Sequence, residues 1–144
     1  MKTGLHITFD SLTPGLAKLA AVGASPTAVL EVGAVELQNV TVEAFGSPGV
    51  RPHAWPDKKS GGPSNLTDST TLRHSIALGP ITRQQASVQT DRPYAAVHQF
   101  GSNDGSIPAR PFFPFLGGTI TTAAHRRIEA VMQLKLNALL QRGA

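Results

Sequence analysis

The apolar positions of this chain change their period several times, and each change marks an element. Leu5, Ile7 and Phe9 alternate with His6 and Thr8, a period of two that predicts a short half-buried strand. Asp10 or Ser11 then offers a helix cap and Pro14 suits the first turn. Leu12, Leu16, Leu19 and Ala20 carry helical spacing to about Ala21, and Gly23 ends it. Ser25-Pro26 is a second start signal, a hydroxyl at the cap followed by proline at the first helical position. Beyond it Leu30, Ala34 and Leu37 line one stripe, which Val29, Val32 and Val40 widen. This predicts a long middle helix to about Ala44, with Glu31, Glu36 and Glu43 on the solvated side.

The periodicity then stops. GSPGVRPHAWPDKKSGGPSN, about residues 46 to 65, has four Pro and four Gly in twenty residues, and reads as an extended, flexible loop or arm. It carries the only tryptophan, Trp55, which is either an anchor onto the chain's own core or a contact for a partner. After it Asp68 or Ser69 can cap a single turn containing Leu72. His74 to Leu78 reads as a strand, Gly79-Pro80 as a turn and Gln85 to Thr90 as the returning strand of a hairpin. Pro93 opens a short helical turn holding Tyr94, Ala95, Val97 and His98, closed by Gly101. Ser102 to Ser106 is a polar loop, and IPARP is extended because residues before proline avoid the helical region. Phe112, Phe113 and Phe115 follow as packing residues.

The last element is a helix from about Gly118 or Thr119 to Gln141. Ile120, Ala124, Ile128, Val131, Leu134 and Ala138 line one face, and Met132, Leu136, Leu139 and Leu140 form a second apolar strip. A single core needs one stripe, so the second is either a widened core face or a surface buried against a neighbouring subunit. Arg126 and Arg127 near the helix start read as a solvated pair. Together these elements predict an α+β fold in one domain over residues 1–144. A small antiparallel sheet, built from the N-terminal strand and the hairpin, packs with the two long helices.

Composition narrows what such a domain does. At 144 residues it is long enough to bury a real core, yet only 15% of its residues are charged. Sparse charge suits a surface covered by partners. The formal charge of +4 comes from scattered residues and is too small to mark a nucleic-acid footprint by itself. The chain has no cysteine, so thiolate chemistry and disulfides are excluded. The start, MKTGLHITFD, has no apolar leader core, and the most apolar window, Leu16 to Leu37, is broken by Lys18, Pro26, Glu31 and Glu36. A soluble product made in the cytoplasm is expected, with no membrane partner.

Catalytic and metal-ligating patterns are missing. The five histidines, His6, His53, His74, His98 and His125, form no HExxH or other ligand spacing. There is no GxSxG elbow and no GxxxxGK[ST] loop, and Gly61-Gly62 lacks the lysine and helix that a phosphate cradle needs. The nine acidic residues are dispersed and name no acid/base pair. No catalytic residue, metal or cofactor is expected, and the chain does not read as an enzyme.

Three stretches together resemble the phage virion morphogenesis family, the tail-completion proteins of Mu-like and related tailed phages. They are the Pro-Gly run before Trp55-Pro56, then LTDSTTLRHSI, then YAAVHQFG followed by IPARPFFPF. The order of helix, Trp loop, hairpin, HQxG, PARPF and terminal helix is also similar, over roughly residues 25 to 141. The chain departs at Thr70, where the family pattern has glycine.

The resemblance implies a structural virion protein of the neck or tail end that joins tail to head, made in the host cytoplasm and carried in the virion. It implies a homo-oligomeric ring of six copies, with tail tube or terminator and head connector proteins as partners. Trp55, Tyr94, His98, Arg110 and Phe112 are then expected to shape the fold or its contacts. On the final helix, Met132, Leu136 and Leu139 are the expected interface or fold-shaping residues. The competing reading is an adaptor lining the head–tail channel, whose positive charge makes nonspecific contact with genomic DNA.

Overall fold

The structure, a computed structural model, describes residues 9–62, 64, 66 and 70–142. The expected N-terminal strand at residues 5–9 lies outside them, apart from Phe9, which stacks on His125 with ring centroids 4.4 Å apart. The caps expected at Asp68 or Ser69 also lie outside the described residues.

Three helices form one layer. A 3-10 turn, Asp10–Leu12, runs into α1, Thr13–Ala21; α2 spans Thr27–Glu43 and α5 Thr122–Arg142. Ser11 does not cap α1. Its hydroxyl donates instead to Glu129 on α5 at 3.1 Å, and Leu12 takes the cap position without a side-chain hydrogen bond. Pro26, rather than Ser25, stands at the cap position of α2, and Ser25 Oγ accepts the Thr27 N–H at 3.2 Å. Leu12, Leu19, Val29, Ile128, Met132 and Leu136 make the core of this layer. The helices approach closely where a side chain is missing. A Cβ on Gly33 would lie 2.7 Å from Met132 Sδ, inside van der Waals contact.

The rest of the chain folds over the C-terminal end of α2. A short helix α3, Thr70–His74, leads into β1, Ala77–Leu78, which pairs antiparallel with β2, Val88–Gln89. The hairpin is shorter than its sequence suggests, because His74 completes α3 instead of opening the strand. Helix α4, Ala95–Phe100, stands where the short helical turn was expected, and Gly101 closes it with φ 79°. A second hairpin, β3 Phe115–Leu116 with β4 Thr119–Ile120, has no counterpart in the sequence reading. It takes Ile120 out of the final helix, which starts at Thr122. Gly117 and Gly118, both at positive φ, make its tight turn, where Gly118 or Thr119 reads as a helix start from sequence. The fold is therefore α+β, with five helices and two separate two-stranded sheets among the described residues. Ala44, Phe45, Trp55, Leu72, Ile76, Ala95 and Phe112 make the second core cluster.

Glu36 and Glu43 are not simply solvated, and Arg127 is not a free cation. Arg127 bridges both carboxylates, to Glu36 at 2.7 Å and to Glu43 at 2.6 Å, which locks α5 against α2. Glu43 first, then Glu36, holds the Arg127 guanidinium above its ordinary range. Arg126, its sequence neighbour, is exposed.

Candidate functional site

The loop from Arg51 to Phe115 is proline-rich, so much of its backbone has no ladder or helix partner. Buried backbone groups must still be paired. Side chains do this here. Trp55 Nε1 donates to the Pro111 carbonyl at 2.9 Å. Arg110 sends its Nε to the Pro56 carbonyl at 3.0 Å and its Nη2 to the Asp57 carbonyl at 2.8 Å. The planar fork of an arginine suits two neighbouring carbonyls, and a lysine would reach one. Gln99 accepts the N–H groups of Phe112 and Phe113 through one oxygen, at 3.0 and 2.9 Å, and donates back to the Phe113 carbonyl at 3.3 Å.

Arg51 adds a clamp that sequence reasoning missed. Its guanidinium lies 3.6 Å from the Trp55 ring centroid and donates to the Ala44 carbonyl at 2.6 Å, at the C-terminal end of α2. Cation–π stacking and satisfaction of an orphan helix carbonyl thus meet in one side chain. An arginine four residues before a lone tryptophan in a loop was the available signal. Between Arg51 and Asp57 the loop is therefore held to the core. Its tip, Lys58 to Gly62, closes in a turn, with Lys58 N–H on the Gly62 carbonyl at 3.0 Å.

The expected site residues fall into two groups. Trp55, His98, Arg110 and Phe112 come together in the loop half, with Tyr94 at its edge. Phe112 is 1% exposed and packs on Phe45 with ring centroids 5.4 Å apart, while Phe45 meets Trp55 edge-on at 6.2 Å. The His98 and Tyr94 rings meet nearly at right angles with centroids 5.8 Å apart, and the His98 carbonyl accepts the Arg110 N–H at 2.7 Å. Its Nδ1 is buried and has no hydrogen-bond partner. Burial, and next the Arg110 charge, push the His98 imidazole below its ordinary pKa. Gly101 is required between them, because a Cβ there would lie 3.0 Å from Ala109 N and 3.1 Å from the Ile107 carbonyl.

Met132, Leu136 and Leu139 sit elsewhere. Met132 and Leu136 are buried in the helical core with Ala124 and Ile128, and Leu139 packs against that core. The strip of α5 left open is Val131, Leu134 and Ala138, with Leu134 71% exposed. The first strip is thus split: Ala124 and Ile128 join Met132 and Leu136 in a widened core face, while Val131, Leu134 and Ala138 stay open.

Seven large hydrophobic side chains are exposed among the described residues, and four of them, Tyr94, Phe100, Ile107 and Leu116, belong to residues 94–116. Phe100 is 63% exposed, and its ring stands 6.3 Å from Phe115. Beside them the polar loop is ordered by Asp104, which accepts the Ser106 N–H at 3.0 Å and the hydroxyls of Ser102 at 2.7 Å and Ser106 at 2.8 Å. These bonds, led by the Ser106 N–H, pull its carboxyl down to about 2. Among the described residues no three His, Asp or Glu side chains gather to hold a metal, and no helix is long and apolar enough to cross a membrane. What the arrangement offers is a hydrogen-bonded segment that carries exposed apolar side chains.

Residues 7–137 match the model of the phage virion morphogenesis family. The chain is 34% identical over 108 residues to the Mu-like prophage FluMu G protein 2 of Haemophilus influenzae, across 72% of this chain and 76% of that protein. No solved structure matches it.

Proposed function

Because this chain belongs to the phage virion morphogenesis family, and so to proteins that build the phage particle, we propose that it is a structural subunit of the neck or tail end. In this reading its copies close into a ring of six, which completes the tail and joins it to the head. The observation that carries the reading is that Tyr94, Phe100, Ile107 and Leu116, four of the seven exposed large hydrophobic side chains among the described residues, fall in a segment that Trp55, Gln99 and Arg110 tie down by hydrogen bonds. A joint between preformed particles needs a surface that is apolar and already ordered, because ordering at the moment of contact subtracts from affinity. The neighbouring subunit in the ring covers this surface by a head-to-tail contact.

Complementation of a phage lacking this protein tests the role. The wild-type chain is expected to restore joined heads and tails. A Phe100→Asp/Leu116→Asp chain, altered only at exposed positions, is expected to leave them unjoined. Joined particles in the absence of the protein would overturn the neck role. Full joining with the double variant would overturn the assignment of this surface.

The channel-lining adaptor is favoured by one feature: residues 46–121 hold seven Lys and Arg against four Asp and Glu, whereas the helical segments are nearly balanced. Binding to duplex DNA that falls steeply with salt would favour it, and no binding at low salt would sink it.

A further inference from the structure

A groove between α2 and α5 has apolar walls of Val32, Val35, Val131, Leu134 and Ala138, with Glu31 from α2 and Lys135 from α5 along it and Glu36, already paired with Arg127, also lining it. We infer that a second copy of this chain covers this groove in a two-fold pair. The argument rests on charge and symmetry. The two helices are antiparallel: Gly33 faces Met132, and Arg127, further back on α5, reaches forward along α2 to Glu36 and Glu43. At about 1.5 Å of rise per residue, Glu31 lies about 3 Å from the level of Gly33, and Lys135 about 4.5 Å from Met132 in the same direction. The two charges therefore stand at nearly one level, on different helices, and neither has an ion-pair partner in its own chain among the described residues.

A two-fold axis running along the groove lays α2 of one copy over α5 of the other. It brings each Glu31 onto the other copy's Lys135, so two ion pairs form at once. The same operation seats Leu134 and Val35 of each copy against the other's apolar wall. A two-fold axis across the helices instead sets α2 on α2 and Glu31 on the acidic side of its mate. The charges thus select one pairing as well as permit it. The contact is isologous and closes at two copies, so it cannot propagate a ring, and it is independent of the neck reading.

Sedimentation equilibrium on the full chain tests the pair, with a thermal melt to confirm that each variant is folded. The expected mass is twice 15.1 kDa. Glu31→Lys and Lys135→Glu each weaken pairing about tenfold or more, and the double swap returns it to within about threefold of wild type. Leu134→Asp gives a folded monomer. A monomer at every concentration, single swaps without effect, or a double swap weaker than either single would overturn the proposal. A six-subunit mass indifferent to the swaps would overturn it too, and would leave the ring reading standing.

Discussion

Helices α1, α2 and α5 and the proline-rich segment from Arg51 to Leu116 both bury a cluster of large side chains, yet different bonds hold them. Between the helices the long-range hydrogen bonds run from side chain to side chain: Arg127 to Glu36 and Glu43, Ser11 to Glu129. In the loop half most run from side chain to backbone: Trp55 to Pro111, Arg110 to Pro56 and Asp57, Gln99 to Phe112 and Phe113, with Ser75 and Thr90 as a side-chain pair beside them. The difference follows from what the backbone can do for itself. A helix interior satisfies its own N–H and C=O groups, so polar side chains are left for the surface. A chain with prolines at 108, 111 and 114 cannot, so Trp, Arg and Gln stand in for the missing ladder.

Substitutions can break this contrast or sharpen it. Phe112→Ala should do most, costing about 3–5 kcal/mol, since it empties the centre of the loop core beneath Phe45. A denaturant melt showing a loss under about 1 kcal/mol would mean that this half has little core of its own. Gln99→Leu keeps the volume and removes the shared acceptor. It should cost about 1–3 kcal/mol for the buried Phe112 N–H alone, with faster amide exchange at Phe112 and Phe113 as its local signature. Unchanged exchange at both would show that the loop backbone is paired by other means.

In the helical layer Arg127→Met should cost at most about 1 kcal/mol, because the pair is partly solvated, and the cost should shrink in high salt. A larger, salt-insensitive loss would place this layer under the same polar control as the loop. The smallest effect concerns pH. His98 titrates lower in the fold than unfolded, so its neutral form is the one that folding favours. Its contribution is present above the unfolded value near 6.5, and is lost as the pH falls from there through the lower folded value. Between pH 7 and pH 5 the melting temperature of wild type should therefore fall more than that of His98→Gln. Equal slopes would remove His98 from the account.

Element type was legible wherever one period ran long enough. Helices α1, α2 and α5 follow from repeats of three and four, and α4 from a proline, a few apolar residues and Gly101. The misreadings have local causes. Gly118, which with Gly117 turns β3 into β4, looks from sequence like the start of a helix, so Ile120 reads as helical when it belongs to β4. Ser11 has the chemistry of a cap, but Glu129, 118 residues away, competes for its hydroxyl. Arg51 gave little signal, since an arginine in a loop is usually solvated.

The sequence by itself determined the α+β class, the positions of the long helices, the absence of any catalytic or metal-ligand spacing, and the family, which the chain matches over residues 7–137. These rest on period, turn chemistry and residue identity, all of which act within a few neighbours along the chain. The tertiary structure alone decided which positions of each apolar strip of α5 are core, which carboxylates Arg127 bridges, and which carbonyls Arg110 and Trp55 satisfy. Those depend on groups 50 to 90 residues apart, brought together by the burial of Phe45, Phe112 and Met132. A short-range pattern can say that a side chain wants a partner, and only the packed core says which one it meets.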